Sequence, residues 1–138
     1  MASRKARLLN VLRDLESSLE RMRKITSLSE EDFLRDYRNL YTLRMLIVEV
    51  VEAIVDVGLL LVRGEVETYA QVVDRLLEMG VISVGTADSL KSLIRLRNLI
   101  VHRYWEVDDL RIYREAKAGG LDSIEGFIRE IREAAEDH

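Results

Sequence analysis

The sequence contains no cysteine and no proline, and only seven of its 138 residues are glycine. The absence of cysteine excludes disulfides, thiolate metal sites and a cysteine nucleophile, and it is compatible with the reducing cytoplasm, where we expect the protein to act. Proline and glycine interrupt helices, so their scarcity favours long helices. A hydrophobic fraction of 48% and a charged fraction of 33% are typical of a globular chain. The length fits a single domain over residues 1–138.

Long uninterrupted apolar runs are also absent. The most apolar segment, LIVEVVEAIVDVGLLLV, contains Glu49, Glu52 and Asp56. These charges predict a buried helix and not a membrane span, so we expect no membrane association. The N-terminal stretch MASRKARLLNVLRDLESSLE is basic but has no continuous apolar core. We therefore expect no signal peptide.

Apolar residues at alternating spacings of three and four predict two long helices. The first covers about residues 4–25, and its apolar stripe consists of Leu8, Leu12, Leu15, Leu19 and Met22. The second ends at about Val62, and its stripe consists of Leu40, Leu43, Ile47, Val50, Ile54, Val57 and Leu61. Further apolar residues widen the second stripe, namely Leu46, Val51, Val55 and Leu59. Other helices are therefore expected to surround this one.

Capping residues predict where several elements begin and end. Ser29 with Asp32 resembles a capping box, which starts a short turn that leads into the second long helix. Thr68 with Gln71 starts a further helix, which ends near Gly80.

Three more helices complete the predicted fold. The next begins at Thr86, a short one covers residues 108–118, and a final one capped by Asp122 extends to about residue 136. This order predicts an all-α, up-and-down helical bundle with a four-helix core and one or two short helices.

The helix predicted to begin at Thr86 carries polar residues in an apolar context, in the segment LRNLIVHRYW. Helical spacing places Arg97 and Tyr104 in an apolar stripe, where an arginine without a partner is unfavourable. His102, five residues after Arg97, lies about 140° away from it around a regular helix. The two side chains meet if the helix loosens, if the arginine reaches round, or if two chains share the site.

Positive charge is concentrated around the same segment. Residues 91–117 contain seven basic and four acidic side chains, a net charge of +3, whereas the whole chain has a net charge of −4. A local basic surface on an acidic protein can attract an anionic ligand.

The pattern Arg-x4-His-x-Tyr, formed by Arg97, His102 and Tyr104, resembles the signature of HEPN-domain proteins. The flanking RNLIVHRYWEVD, with Asn98 and Asp108, is similar in detail to the HepT-like toxins of prokaryotic toxin–antitoxin pairs. The helix YTLRMLIVEVVEAIVDVGLLLV resembles the second helix of that family, and length and helical order agree over nearly the whole chain.

The resemblance implies a HEPN-like homodimer that cleaves RNA without a metal or another cofactor. It also implies a cognate partner, a minimal nucleotidyltransferase antitoxin of a type VII-like pair. That partner would silence the toxin by adenylylating Tyr104.

Residue chemistry assigns roles within the implied activity. His102 is the predicted general acid/base, because histidine titrates near neutral pH. Arg97 is predicted to stabilise the phosphorane, and Asn98 to orient the imidazole or bond the ribose. Glu52 and Asp56 are candidate partners of Arg97 or His102, and the sequence does not choose between them. Three basic residues are predicted to contact RNA, namely Lys91, Arg95 and Arg103.

Each assignment has an alternative. A lone histidine in an amphipathic helix is usually structural or exposed, and Arg97 could pair with Glu52 at an interface. The chain could instead be a non-catalytic HEPN subunit that binds a nucleotide or a nucleotidyltransferase, or a plain dimeric scaffold. A metal enzyme is disfavoured, since the sequence has one internal histidine and no ligand spacing such as Glu-x-x-His.

Overall fold

The structure is a computed structural model that describes residues 3–136. This part of the chain forms seven α-helices and no strand, which confirms the predicted all-α bundle. The helices are α1 (Arg4–Thr26), α2 (Glu30–Arg35), α3 (Tyr37–Leu61), α4 (Tyr69–Glu78), α5 (Val84–His102), α6 (Asp109–Glu115) and α7 (Leu121–Glu136). A 3-10 turn (Tyr104–Glu106) follows α5, and a π-helical segment (Ala116–Gly120) joins α6 to α7.

The two long helices α1 and α3 supply much of the core, as their apolar stripes predict. All five predicted stripe residues of α1 are buried, and so are five of the seven on α3. Leu40 and Leu61, at the ends of the α3 stripe, are partly buried against the core. Leu59, predicted to widen the apolar surface of α3, is instead 52% exposed. Helical spacing explains this, because Leu59 continues the polar line of Glu52 and Asp56.

Helix α4 packs closely against α3 at Gly58. A Cβ atom added to Gly58 would overlap Cγ1 of Val72, on α4, far inside the distance at which two carbon atoms can approach. Gly58 and Val72 are both buried. The glycine thus allows α4 to lie against α3, and this contact helps to set the position of Tyr69 at the start of α4.

Most predicted helix boundaries agree with the structure. The Ser29 hydroxyl accepts a hydrogen bond from the Asp32 amide at the start of α2, at 3.0 Å. The Thr68 hydroxyl accepts one from the Gln71 amide at the start of α4, at 3.2 Å. Gly80, after the end of α4, has a positive φ of 73°, which a glycine adopts without strain.

Two predicted helix starts are wrong. Helix α5 begins at Val84, because Ser83 is the N-cap and its hydroxyl accepts the Thr86 amide at 3.2 Å. Thr86 is therefore already inside the first turn. Asp122, predicted to cap the last helix, also lies inside a first turn, that of α7. Its carboxylate faces Arg23 of α1, with 3.7 Å between the nearest nitrogen and oxygen.

A helix that spans a bilayer needs about 20 consecutive, predominantly apolar residues. Across residues 3–136, no helix combines the length and the apolar character that a membrane span needs.

Replacing Gly58 by alanine is expected to lower the free energy of unfolding by about 1–3 kcal/mol, because extra atoms in a packed interface force the helices apart. The matched control is Gly126→Ala, in the interior of α7. A Cβ there would meet only the guanidinium of Arg129, at 3.7 Å. This control should leave stability unchanged or raise it by up to about 1 kcal/mol, through helix propensity. Urea denaturation measures both, and equal stability of the two variants would contradict the close α3–α4 packing.

Candidate active site

Helix α5 ends at His102, and Tyr104 does not continue it. The backbone of Arg103 leaves the helical region, with φ −140° and ψ 51°, and Tyr104 begins the 3-10 turn. The prediction that Tyr104 shares an α5 stripe with Arg97 is therefore wrong. Between Arg97 and His102 the helix is regular, so the two residues are separated by about 140° around the axis and about 7.5 Å along it. Loosening within α5 does not bring them together.

Arg97 is largely covered, with 17% of its side chain exposed. Its Nη2 donates to Oε1 of Glu52 on α3, at 2.9 Å, and its Nη1 donates to Oδ1 of Asn98, at 3.1 Å. The guanidinium carbon lies 5.1 Å from the ring centre of Tyr69, within cation–π distance. The Nε atom is buried without a hydrogen-bond partner among the described residues. The arginine in the apolar stripe thus has the partner that its burial requires.

Tyr69 belongs to the group of side chains around Arg97, and the sequence did not identify it. Its hydroxyl donates to Oε2 of Glu52 at 2.8 Å, so the Glu52 carboxylate joins Tyr69 of α4 to Arg97 of α5. The hydrogen bond to Glu52 raises the pKa of Tyr69 above its ordinary value, and desolvation adds to the effect. The phenol therefore stays protonated and remains a donor at neutral pH.

Asp56 is placed less favourably than Glu52. It is exposed, one turn further along α3, and it forms no ion pair with Arg97 or His102. Desolvation, and secondly the negative charge of Glu52, raises the pKa of the Asp56 carboxyl. Over residues 3–136, no three acidic or histidine side chains are grouped in a way that could hold a metal ion.

The end of α5 presents its polar and aromatic side chains to solvent. His102 is exposed, and the imidazole forms no hydrogen bond with any residue from 3 to 136. Tyr104 is 62% exposed and Trp105 is 67% exposed, and their rings meet edge to face at 5.2 Å. This surface is open to a ligand or to a second chain.

Arg44 of α3 reaches the turn that carries Tyr104. Its Nε and Nη2 donate to the two carboxylate oxygens of Asp109 on α6, at 2.7 and 2.8 Å. Its Nη1 donates to the backbone carbonyl of Tyr104 at 3.2 Å. The family resemblance in the sequence includes Asp108, and not Asp109. In the structure Asp108 caps α6, because its carboxylate accepts the amide of Arg111 at 3.1 Å. No periodic pattern links Arg44 to Asp109, so neither was predicted.

The three predicted RNA-contacting residues differ in their surroundings. Lys91 forms an ion pair with Asp74 of α4. Arg103 lies 3.6 Å from Glu106 in the adjacent turn. Arg95 is exposed and donates to the Ser92 hydroxyl at 3.0 Å, without a carboxylate partner in the described part of the chain. Of the three, Arg95 is thus the cation whose charge no described carboxylate neutralises.

The fold and the Arg-x4-His-x-Tyr segment define the class of protein to which the chain belongs. The family model of the HepT-like ribonucleases matches residues 15–131, which is most of the chain and includes the whole motif. The chain therefore belongs to the HepT-like ribonuclease family. No curated protein matches it.

Several solved structures share the fold. The cytosolic protein YutE of Bacillus subtilis, whose function is unknown, is 22% identical, with a TM-score of 0.80 over 96% of this chain and 91% of that one. The tri-AMPylated HEPN toxin of Shewanella oneidensis, in complex with the MNT antitoxin, is 21% identical, with a TM-score of 0.83 over 96% and 98%. A toxin–antitoxin structure with AMP-PNP is 21% identical, with a TM-score of 0.82 over 91% and 96%.

Replacing Glu52 by glutamine is expected to lower the free energy of unfolding by about 1–2 kcal/mol, because it leaves the covered Arg97 cation without a carboxylate. The matched control is Glu49→Gln, one turn earlier on α3. Glu49 pairs with Arg21 at 2.7 Å, but this pair is 44% and 55% exposed, so its loss should change stability by less than about 0.5 kcal/mol. Denaturant titration compares the two variants, and an equal effect would show that burial of Arg97 does not set the strength of its pair.

Proposed function

We propose that this protein is a metal-independent endoribonuclease toxin that acts as a homodimer. The observation that carries the proposal is the fixed guanidinium of Arg97, held by Glu52 and Asn98 on the helix whose exposed end carries His102. Membership of the HepT-like ribonuclease family supports RNA as the substrate.

The chemistry requires a base, an acid and a cation. The 2′-hydroxyl of RNA loses its proton to the base and attacks the adjacent phosphorus, while the acid protonates the departing 5′-oxygen, which leaves a 2′,3′-cyclic phosphate. His102 serves as general acid/base, since imidazole exchanges protons near neutral pH. Arg97 stabilises the negative charge of the phosphorane. Asn98, which is hydrogen-bonded to Arg97, supports the guanidinium or the ribose.

A homodimer supplies what one chain lacks. Each chain has one histidine besides His138, and His102 lies about 140° from Arg97 around α5. Two copies of the segment Leu90–Tyr104, packed about a two-fold axis, bring two His102 imidazoles to one site. One imidazole then acts as the base and the other as the acid.

The proposal includes a cognate partner, a minimal nucleotidyltransferase antitoxin. The HEPN toxin of Shewanella oneidensis is AMPylated and bound to an MNT antitoxin. Tyr104 of this chain is 62% exposed and lies two residues after His102, which makes it accessible to a transferase. Its hydroxyl would attack the α-phosphorus of ATP, with release of pyrophosphate and of the phenolic proton. The added phosphate charge would repel the RNA backbone.

The first test is cleavage of labelled single-stranded RNA by EDTA-treated protein. The wild-type chain is expected to form products that end in a cyclic phosphate. His102→Ala is expected to reduce the cleavage rate by about 10²–10⁴-fold, the range typical of losing a general acid or base. Arg97→Lys keeps the positive charge but loses the planar fork, and it should also lower the rate.

The control is His138→Ala, which removes the other histidine of the sequence and should leave cleavage unchanged. Absence of metal-free cleavage by the wild-type chain would contradict the ribonuclease proposal. Binding of a nucleotidyltransferase that survives His102→Ala, together with absent cleavage, would instead identify a non-catalytic partner subunit.

The second test concerns Tyr104. With ATP and a candidate cognate nucleotidyltransferase, the wild-type chain is expected to gain AMP, and Tyr104→Phe is expected to gain none because it lacks the attacking oxygen. Tyr37→Phe is the matched control, since Tyr37 is similarly exposed at 68%. Intact-mass spectrometry measures the modification. AMP on the Tyr104→Phe protein would assign the acceptor to another residue.

A further inference from the structure

Two residues outside the Arg-x4-His-x-Tyr motif hold the turn that follows α5. We propose that Arg44 and Asp109 are positioning residues that fix this turn, so that His102 and Tyr104 keep one geometry relative to Arg97. The inference rests on the proposed function for its catalytic consequence. The structural part of the proposal does not depend on that function, because it rests only on the hydrogen bonds that the Arg44 guanidinium forms.

The guanidinium of Arg44 joins three elements. Two of its nitrogens bind the two oxygens of Asp109, on α6, and the third binds the carbonyl oxygen of Tyr104 in the turn. Both side chains of the ion pair are only 15% exposed. The hydrogen bonds to Asp109 raise the pKa of Arg44 against the effect of desolvation, so the group stays charged. A planar fork held by two parallel hydrogen bonds has one orientation, and this orientation directs Nη1 at the turn.

The turn has little else to hold it. None of its three residues is buried, and the rings of Tyr104 and Trp105, which meet edge to face, remain mostly exposed. Its backbone hydrogen bonds are local: the Glu106 amide donates to the Arg103 carbonyl at 2.9 Å, and the Val107 amide donates to the Tyr104 carbonyl at 3.3 Å. The hydrogen bond from Arg44 therefore ties an otherwise exposed segment to α3. Segments with few buried contacts open easily when such a tie is removed.

A second ion pair on α6 provides a matched control. Arg114 donates through Nε and Nη2 to the two oxygens of Glu30 on α2, at 2.6 and 3.0 Å. This pair has the same two-bond geometry and also attaches α6 to another helix. It makes no contact with the 3-10 turn. The Arg114–Glu30 pair is more exposed, at 60% and 44%, so Arg114→Lys reports the effect of weakening an anchor of α6 that does not touch the turn.

The experiment uses Trp105, which is the only tryptophan of the chain and lies in the turn itself. Arg44→Lys keeps the charge but replaces the planar fork by one point-like nitrogen, which loses the two-bond geometry to Asp109 that directs a third nitrogen at the Tyr104 carbonyl. Time-resolved fluorescence anisotropy should show faster local motion of Trp105 in this variant and no change in Arg114→Lys. The RNA cleavage rate of Arg44→Lys should fall by roughly 10- to 100-fold, because small displacements of catalytic groups have effects of this size.

A second variant weakens the same ion pair from its other side, in case Arg44→Lys fails to fold. Asp109→Asn keeps the size of the side chain and removes its charge, and circular dichroism checks that both variants remain helical. Unchanged motion of Trp105 in both variants would overturn the proposal. Faster motion with unchanged cleavage would overturn the positioning role. If the wild-type chain cleaves no RNA but Trp105 still moves faster in the variants, the proposed function is wrong. The conclusion that Arg44 and Asp109 fix the turn is then confirmed.

Discussion

The ion pair between Glu52 and Arg97 is the interaction on which the candidate site depends. Arg97 lies in an apolar stripe of α5, where a charge is tolerated only with a partner, and α3 supplies that partner from the far side of the interface. Glu52 also accepts the Tyr69 hydroxyl, so one carboxylate fixes three helices at one point. Helix α4 passes close over Gly58 at Val72, and Tyr69 lies about one turn before Val72 on that helix.

Helix α3 contacts the motif segment at two points, Arg97 within α5 and Tyr104 beyond its end. Arg44 and Glu52 are eight residues apart, about 12 Å along the helix. Glu52 fixes the guanidinium in the middle of α5, and Arg44 binds the backbone just beyond its end. The pairing with Glu52 reduces the positive charge that Arg97 offers to a phosphate. It does not exhaust the hydrogen-bond donors, since each terminal nitrogen carries two hydrogens and the described contacts use one on each.

The sequence predicted the features that follow a regular spacing of residues. It missed those that depend on a single contact between residues far apart in the chain. Spacings of three and four identified the buried faces of α1 and α3, and the motif identified the segment from Arg97 to Tyr104. Thr86 was mistaken for the cap because serine and threonine are both favoured there, and the structure places Ser83 at that position. Tyr69 and Arg44 were missed because their partners are 17 and 65 residues away.

The exposed end of α5 gives a physical reason for the proposed homodimer. Val101, one residue before His102 on α5, is 43% exposed, although its side chain is wholly apolar. Covering this side chain with a second copy would remove apolar area from water and would lower the dielectric around both His102 imidazoles. The same contact would bring in the second imidazole that one chain lacks. Dimerisation and completion of the site would then be one event, driven by burial of the surface that adjoins the motif.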